Sequence, residues 1–116
     1  MEAVQPYVAF AVPADPESGV EVRVNFGLLA GREATPAEID ELARRLLGTV
    51  ERVSIVSERR HEISDQVEAS VHQVSIGVSA EGVPRDVVEA ARLEGKIVAL
   101  AEAWAHACSG ERRAAV

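Results

Sequence analysis

The sequence predicts an α+β domain: a four-stranded, mainly antiparallel sheet with two helices on one face, in the order strand, strand, helix, strand, strand, helix. Four segments have the pattern of strands, and residues 20–28 alternate apolar and polar residues most cleanly, which is typical of a strand with one buried face. Two other segments carry apolar residues at helical spacing after a helix-start signal. The chain has 116 residues, the common size of one domain. We therefore expect a single domain over residues 1–110 and a loose tail over residues 111–116.

The first two strands are expected near residues 4–12 and 20–28. In the second strand, apolar residues alternate with polar ones through Leu28, and the residues 13–19 before it are rich in turn formers. Because aromatic residues make up only 3% of the chain, the core is expected to be mainly aliphatic. Its few large members are expected to be Phe10, Phe26 and Trp104.

A helix-start signal at Thr35 predicts the first helix. Its hydroxyl can cap the helix, Pro36 suits the first helical position, and Glu38 stands where a capping box needs an acid. Gly48 is placed to end the helix. The sequence therefore predicts a helix from about Pro36 to Leu47.

The second hairpin is predicted over residues 51–61 and 67–78, with its turn at Ser64 and Asp65. A long last helix should open at Pro84, run to about Cys108 and stop at Gly110. If the first helix makes a right-handed crossover, the fourth strand inserts between the second and third and gives the sheet order 1-2-4-3. That order predicts a two-layer, permuted ferredoxin-like arrangement.

The last helix has two rows of residues. The row expected to face the core comprises Val87, Ala90, Leu93, Ile97, Leu100, Trp104 and Cys108. A second row of small residues recurs at every fourth position from Ala91 to Ala107 and includes Gly95. Glycine inside a helix costs ~1 kcal/mol relative to alanine, so Gly95 is expected to have a packing role. Such a row permits the close approach of another helix, although alanine also favours helix by itself.

The second hairpin gathers polar residues that could carry chemistry. With the turn at Ser64 and Asp65, the opposed pairs on one face would be Ser57 with His72, Arg59 with Ser70, and His61 with Glu68. Arg59, His61, Ser57, Ser70 and His72 are the candidate ligand-binding residues, with Arg59 suited to an anion. His61, His72 and Glu68 are the candidate catalytic residues for acid-base steps. The alternative is a solvated hairpin tip. Because the spacing matches no recognised zinc motif, we assign no metal site.

The fourth strand changes phase along its length. Its apolar positions run Val67, Ala69, Val71 and then Val74, Ile76, Val78, so the two sets point to opposite faces unless a bulge near His72 or Gln73 reconciles them. Without a bulge, an apolar patch on the uncovered sheet face would comprise Val56, Val67, Ala69 and Val71, joined by Tyr7 and Ala9. A monomer should not leave such a patch in water. We therefore expect a homodimer through this face, unless the bulge exists or the C-terminal segment covers the patch.

Composition excludes several function classes. The formal net charge of -7 disfavours nucleic acid and anionic membranes as partners. We assign no cofactor, since no glycine-rich phosphate loop is present. The chain has one cysteine, and Met1 leads directly into Glu2 rather than a basic, apolar export signal, so we expect a cytoplasmic protein. The favoured interpretation is a non-catalytic dimeric module that binds a small ligand or a protein partner. The alternative is a small enzyme with its site on the second hairpin.

Overall fold

The computed structural model describes residues 8–12 and 19–114, with side chains as far as residue 110. Its elements are β1 (Ala9–Val12), β2 (Val20–Val24), α1 (Phe26–Ala30), α2 (Pro36–Leu46), β3 (Ser54–Ile63), β4 (Glu68–Val78), a 3-10 turn (Ala80–Gly82) and α3 (Val87–Ala114). The predicted α+β class with a four-stranded antiparallel sheet is confirmed.

The sheet has the order β1-β2-β4-β3, which is the order the sequence predicts. β3 and β4 pair along their whole length, from Ser54 opposite Gly77 to Ile63 opposite Glu68. β2 pairs with β4 only from Val74 onward. The distal part of the β3–β4 hairpin, residues 58–73, therefore projects beyond β1 and β2, and we call this projection the arm.

The core forms between one face of the sheet and the helices. Its fully buried large side chains are Val22, Val24, Phe26, Leu42, Leu46, Val74, Ile76, Ile97 and Trp104. Trp104 is 0% exposed, as predicted, and its indole Nε1 donates a hydrogen bond of 2.8 Å to the backbone oxygen of Glu38. Its ring lies 5.2 Å from that of Phe26. We call the opposite side of the sheet the outer face.

The predicted second strand is wrong beyond Val24, because the chain turns into helix α1 at Phe26. Phe26, Leu29 and Ala30 also fit a helical period, so alternation alone could not decide. Packing decides: α1 lies against β4 and α3, and a Cβ on Gly27 would come within 2.8 Å of the backbone nitrogen of His72. Leu28, expected in the core, is exposed.

The two sides of β1 are reversed relative to the prediction. Ala9 pairs with Val24 and is buried in the core, whereas Phe10 pairs with Arg23 on the outer face and is only half-buried. Pairing with β2 fixes these faces because Val24 is a core residue, and a one-residue change in register reverses every side chain.

Both long helices differ little from expectation. α2 begins as predicted, with Thr35 and Glu38 forming a capping box. α3 begins later and passes Gly110 to reach Ala114, so the predicted stop at Gly110 is wrong. One glycine costs a helix only ~1 kcal/mol, which does not by itself end it. Val87, expected in the core row, is 81% exposed, and the first buried residue of α3 is Ile97.

Candidate functional site

The arm does not have the register predicted from its sequence. Its turn is centred on Asp65 and Gln66, where Ser64 donates its backbone N–H to the oxygen of Val67 at 2.8 Å. The observed opposed pairs are therefore Ser57 with Val74, Arg59 with His72, His61 with Ser70, and Ile63 with Glu68. The predicted pairs are wrong, although the candidate residues still share one face because the slip is of two positions.

This register brings together only part of the polar cluster. Arg59 Nη2 lies 3.3 Å from His72 Nε2, but His61 is opposite a serine rather than the carboxylate of Glu68. Ser57, Arg59, His61, Glu68 and Ser70 are exposed, and His72 alone is half-buried. Among the residues the structure describes, no group of three or more His, Cys, Asp or Glu is placed to hold a metal ion. The geometry offers a cation beside an imidazole on an open surface.

The apolar patch lies on the outer face. The pairs between β3 and β4 follow one another without interruption, so no bulge reconciles the two apolar phases of β4. Val56 and Val67 are 51% and 60% exposed, Ala69 is exposed and Val71 is half-buried. Tyr7 lies outside the described residues.

A cavity of about 510 Å³ opens on the outer face at the base of the arm. Ser54, Ser75 and Gly77, small residues on β3 and β4, form its floor, and we call this cavity the trough. Val56, Glu58, Arg60 and Glu21 contribute to its walls. Of the described side chains, only Ser75 Oγ and Arg32 Nε are buried polar atoms without a hydrogen-bond partner.

A polar chain crosses the outer face between the trough and Val71. Arg60 donates to Glu58 at 3.2 Å and to the amide oxygen of Gln73 at 2.8 Å, and Gln73 donates to Asn25 at 2.9 Å. Gln73 is only 4% exposed, and it is the one polar residue among the buried ones described. The signal for it in the sequence is its position at the phase change of β4, where a buried polar side chain needs partners. The sequence analysis did not predict that Gln73 is buried within this polar chain.

A second polar cluster ties α2 to the rest of the core. Arg32 forms two hydrogen bonds of 2.7 Å to the two carboxylate oxygens of Glu38, and its guanidinium carbon lies 5.4 Å from the ring centre of Phe26. Hydrogen bonding from Arg32, supported by Thr35 and Cys108, lowers the pKa of Glu38 to about 2 although burial opposes the shift. The sequence predicted the cap but not the arginine or the thiol. Because its members bind one another, the cluster acts as a structural clamp.

Comparison with known proteins gives no relative, since no family model, curated protein or solved structure matches this chain. Within the described part of the chain, no helix combines the length and apolar character needed to cross a membrane.

Proposed function

We propose that this protein is a non-catalytic module that acts as a homodimer, joined through the outer face of the β3–β4 half of the sheet, and that the dimer binds a small ligand or a protein partner. The observation that carries the proposal is the unbroken β3–β4 ladder, which leaves Val56, Ala69 and Val71 on the outer face and ends at Glu68, next to the turn residue Val67. Val56 and Val67 are more than half exposed in the single chain. Burial of such a patch against a second copy is the usual way to remove it from water.

The size of the outer face supports this proposal. With ~3.4 Å per residue, β4 is roughly 35 Å long, and the two strands β3 and β4, ~4.8 Å apart, are together about 10 Å wide. Their projected area is roughly 350 Å², and protruding side chains raise the accessible area above that value. A stable interface needs about 800 Å² from each partner, so the neighbouring outer face of β2 and β1 has to contribute as well.

The arm gives a second reason to expect a partner. A two-stranded ribbon is at best marginally stable by itself in water, and residues 61–70 are exposed throughout. An arm that packs against a second copy gains the apolar contacts that it lacks in the single chain.

We also infer the finer fold and setting predicted from the sequence. A two-layer, permuted ferredoxin-like arrangement is supported by the strand order and by the shared core of Val22 and Ile76 with Leu42 and Trp104. A cytoplasmic location is supported by the single cysteine, Cys108, which is buried and can form no disulfide within the chain.

The test is the oligomeric state of the wild type and of Val71→Arg, measured by light scattering after size-exclusion chromatography at micromolar concentration. We expect a wild-type dimer and a folded Val71→Arg monomer, because an unpaired charge at the centre of an interface is strongly unfavourable. The matched control is Ser70→Arg, which places the same charge on the opposite face of the same strand and should leave the dimer intact. A monomeric wild type, or a folded Val71→Arg dimer, would overturn the proposal.

A second candidate function is anion binding on the core side of the arm, favoured by the 3.3 Å contact between Arg59 and His72. Phosphate added during an NMR titration should shift the His72 imidazole signals of the wild type but not those of Arg59→Gln. Equal shifts in both proteins would exclude Arg59 as the anion ligand. The small-enzyme alternative has less support, because the observed register separates His61 from the position opposite Glu68.

A further inference from the structure

We infer that the two copies pack with their arms antiparallel, so that the arm of each copy lies in the trough of the other. This inference rests on the proposed dimer and specifies its geometry. The trough is thereby assigned one occupant, the outer face of the arm of a second copy.

The first step is that the trough and the apolar row of the arm lie on the same face of the same strand. Ala69 and Val71 alternate along β4 in phase with Ser75 and Gly77, and the ladder that carries them is unbroken. On β4, the distal half of this face therefore carries apolar side chains and the proximal half carries small ones, whereas β3 contributes Arg60 and Glu62 distally and Val56 proximally. A face with this division can fit a copy of itself that is turned end to end.

The second step is shape. A Cβ built on Gly77 would have Ser54 O as its nearest contact, at 3.9 Å, so the floor of the trough is open above the strands. The cavity of about 510 Å³ is more than enough for several aliphatic side chains. In the other possible arrangement, which we call head-to-head, the two arms point in the same direction. It would place valines against valines and leave both troughs empty. The end-to-end arrangement fills them, and close packing at an interface favours filled space.

The third step is the two-fold symmetry of the pair. Suppose that the two-fold axis lies between the two outer faces, at right angles to the strands, at the level of the opposed residues Arg59 and His72. Residues equally far from that level then meet across the interface. On β4, the meeting pairs would be Val71 with Gln73 and Ala69 with Ser75, and the turn residue Val67 would come next to Gly77. Each contact occurs twice, as in any interface that is the same patch on both copies.

The same axis makes the two central charges of β3 complementary, while it sets Glu62 against Val56 of the other copy. On β3, Glu58 of one copy lies over Arg60 of the other, and the reverse contact is present as well. Within one chain these two side chains already form an ion pair of 3.2 Å. The dimer therefore gathers four charges of alternating sign, whereas the head-to-head arrangement offers no such match. Complementary charges of this kind select the orientation of two partners.

A distance measurement distinguishes the two orientations. A nitroxide on Asp65→Cys, at the tip of the arm, is followed by double electron-electron resonance. The tip is seven residues from the axis, so the antiparallel arrangement should separate the two labels by about 45–50 Å, whereas the head-to-head arrangement should bring them within about 25 Å. The unaltered protein measures background labelling of Cys108, which is buried.

The possible outcomes distinguish a failure of the antiparallel arrangement from a failure of the proposed homodimer. A long distance in a dimer supports the antiparallel arrangement. A short distance in a dimer overturns this arrangement and leaves the homodimer standing. If light scattering shows that the labelled protein and the unaltered protein are both monomers, the proposed homodimer fails, and this inference fails with it.

Filling the trough gives an independent test. Gly77→Val meets no atom of its own chain closer than ordinary contact distance at its Cβ, so the single chain should still fold. It should raise the dimer dissociation constant by about tenfold or more, since the arm of the second copy loses its space. The matched control is Ser70→Val, on the opposite face of β4, which should leave the constant unchanged. Folded Gly77→Val protein that dimerises like the wild type would overturn the inference.

Discussion

The clamp at the start of α2 allows a quantitative prediction for Glu38→Gln. The carboxylate accepts two hydrogen bonds of 2.7 Å from Arg32 and one of 2.9 Å from the backbone nitrogen of Thr35. The glutamine side chain keeps the size of the original but loses its charge and one acceptor oxygen. Arg32, whose side chain is only 20% exposed, would be left without its counter-ion.

The magnitude follows from the pKa. The value for Glu38 falls from 4.5 to about 2 in the folded protein. At ~1.4 kcal/mol per unit, the full shift corresponds to about 3 kcal/mol of stability at neutral pH. The Glu38 side chain is 18% exposed, and solvent screening reduces this figure. We therefore expect Glu38→Gln to lower the free energy of unfolding by about 2 kcal/mol at pH 7.

The pH dependence has a definite sign. A carboxyl group whose pKa is lowered by folding stabilises the protein fully above its unfolded value and loses that contribution as the pH falls through its folded value. The relevant window therefore runs from about pH 5 down to about pH 2. Across this window the stability difference between wild type and Glu38→Gln should shrink.

The assay is urea unfolding at fixed protein concentration, followed by the fluorescence of Trp104, the only tryptophan in the chain. The control is Glu33→Gln in the same loop, where the side chain is exposed and the loss should be less than about 0.5 kcal/mol. A difference between wild type and Glu38→Gln that stays constant from pH 7 to pH 2 would refute the reasoning. So would equal losses for the two variants at pH 7.

Three further predictions concern packing. Gly27→Ala should destabilise the protein by about 1–3 kcal/mol in urea unfolding, because the new Cβ would lie 2.8 Å from the backbone nitrogen of His72; an unchanged midpoint would show that α1 can move away. Gly95→Ala should raise stability by about 1 kcal/mol, since nothing lies within 4 Å of the new Cβ. A loss of stability there would mean that another helix packs on this row. Trp104→Phe should cost about 2–4 kcal/mol through a cavity and the loss of the hydrogen bond to the backbone oxygen of Glu38; in the wild type, iodide should barely quench the indole, and free quenching would contradict its burial.

The sequence alone determined the elements that depend on local pattern. Alternation identified both hairpins, and the Thr35 signal identified the start of α2. The strand order followed from the element order together with the handedness of crossovers. Burial of Trp104 was predictable because the chain has few other large apolar side chains.

Tertiary structure decided what depends on contacts between distant segments. Alternation assigns faces but not the offset between strands, so the turn at Asp65 and Gln66 set the pairs of the arm, and pairing with β2 put Phe10 on the outer face. Helix α1 exists because Phe26 packs beside Trp104, a contact that no local pattern contains. The arginine clamp on Glu38 and the polar chain through Gln73 likewise join groups from separate elements. Local preferences specify the conformation of a segment, whereas only the assembled core determines which buried polar groups find partners.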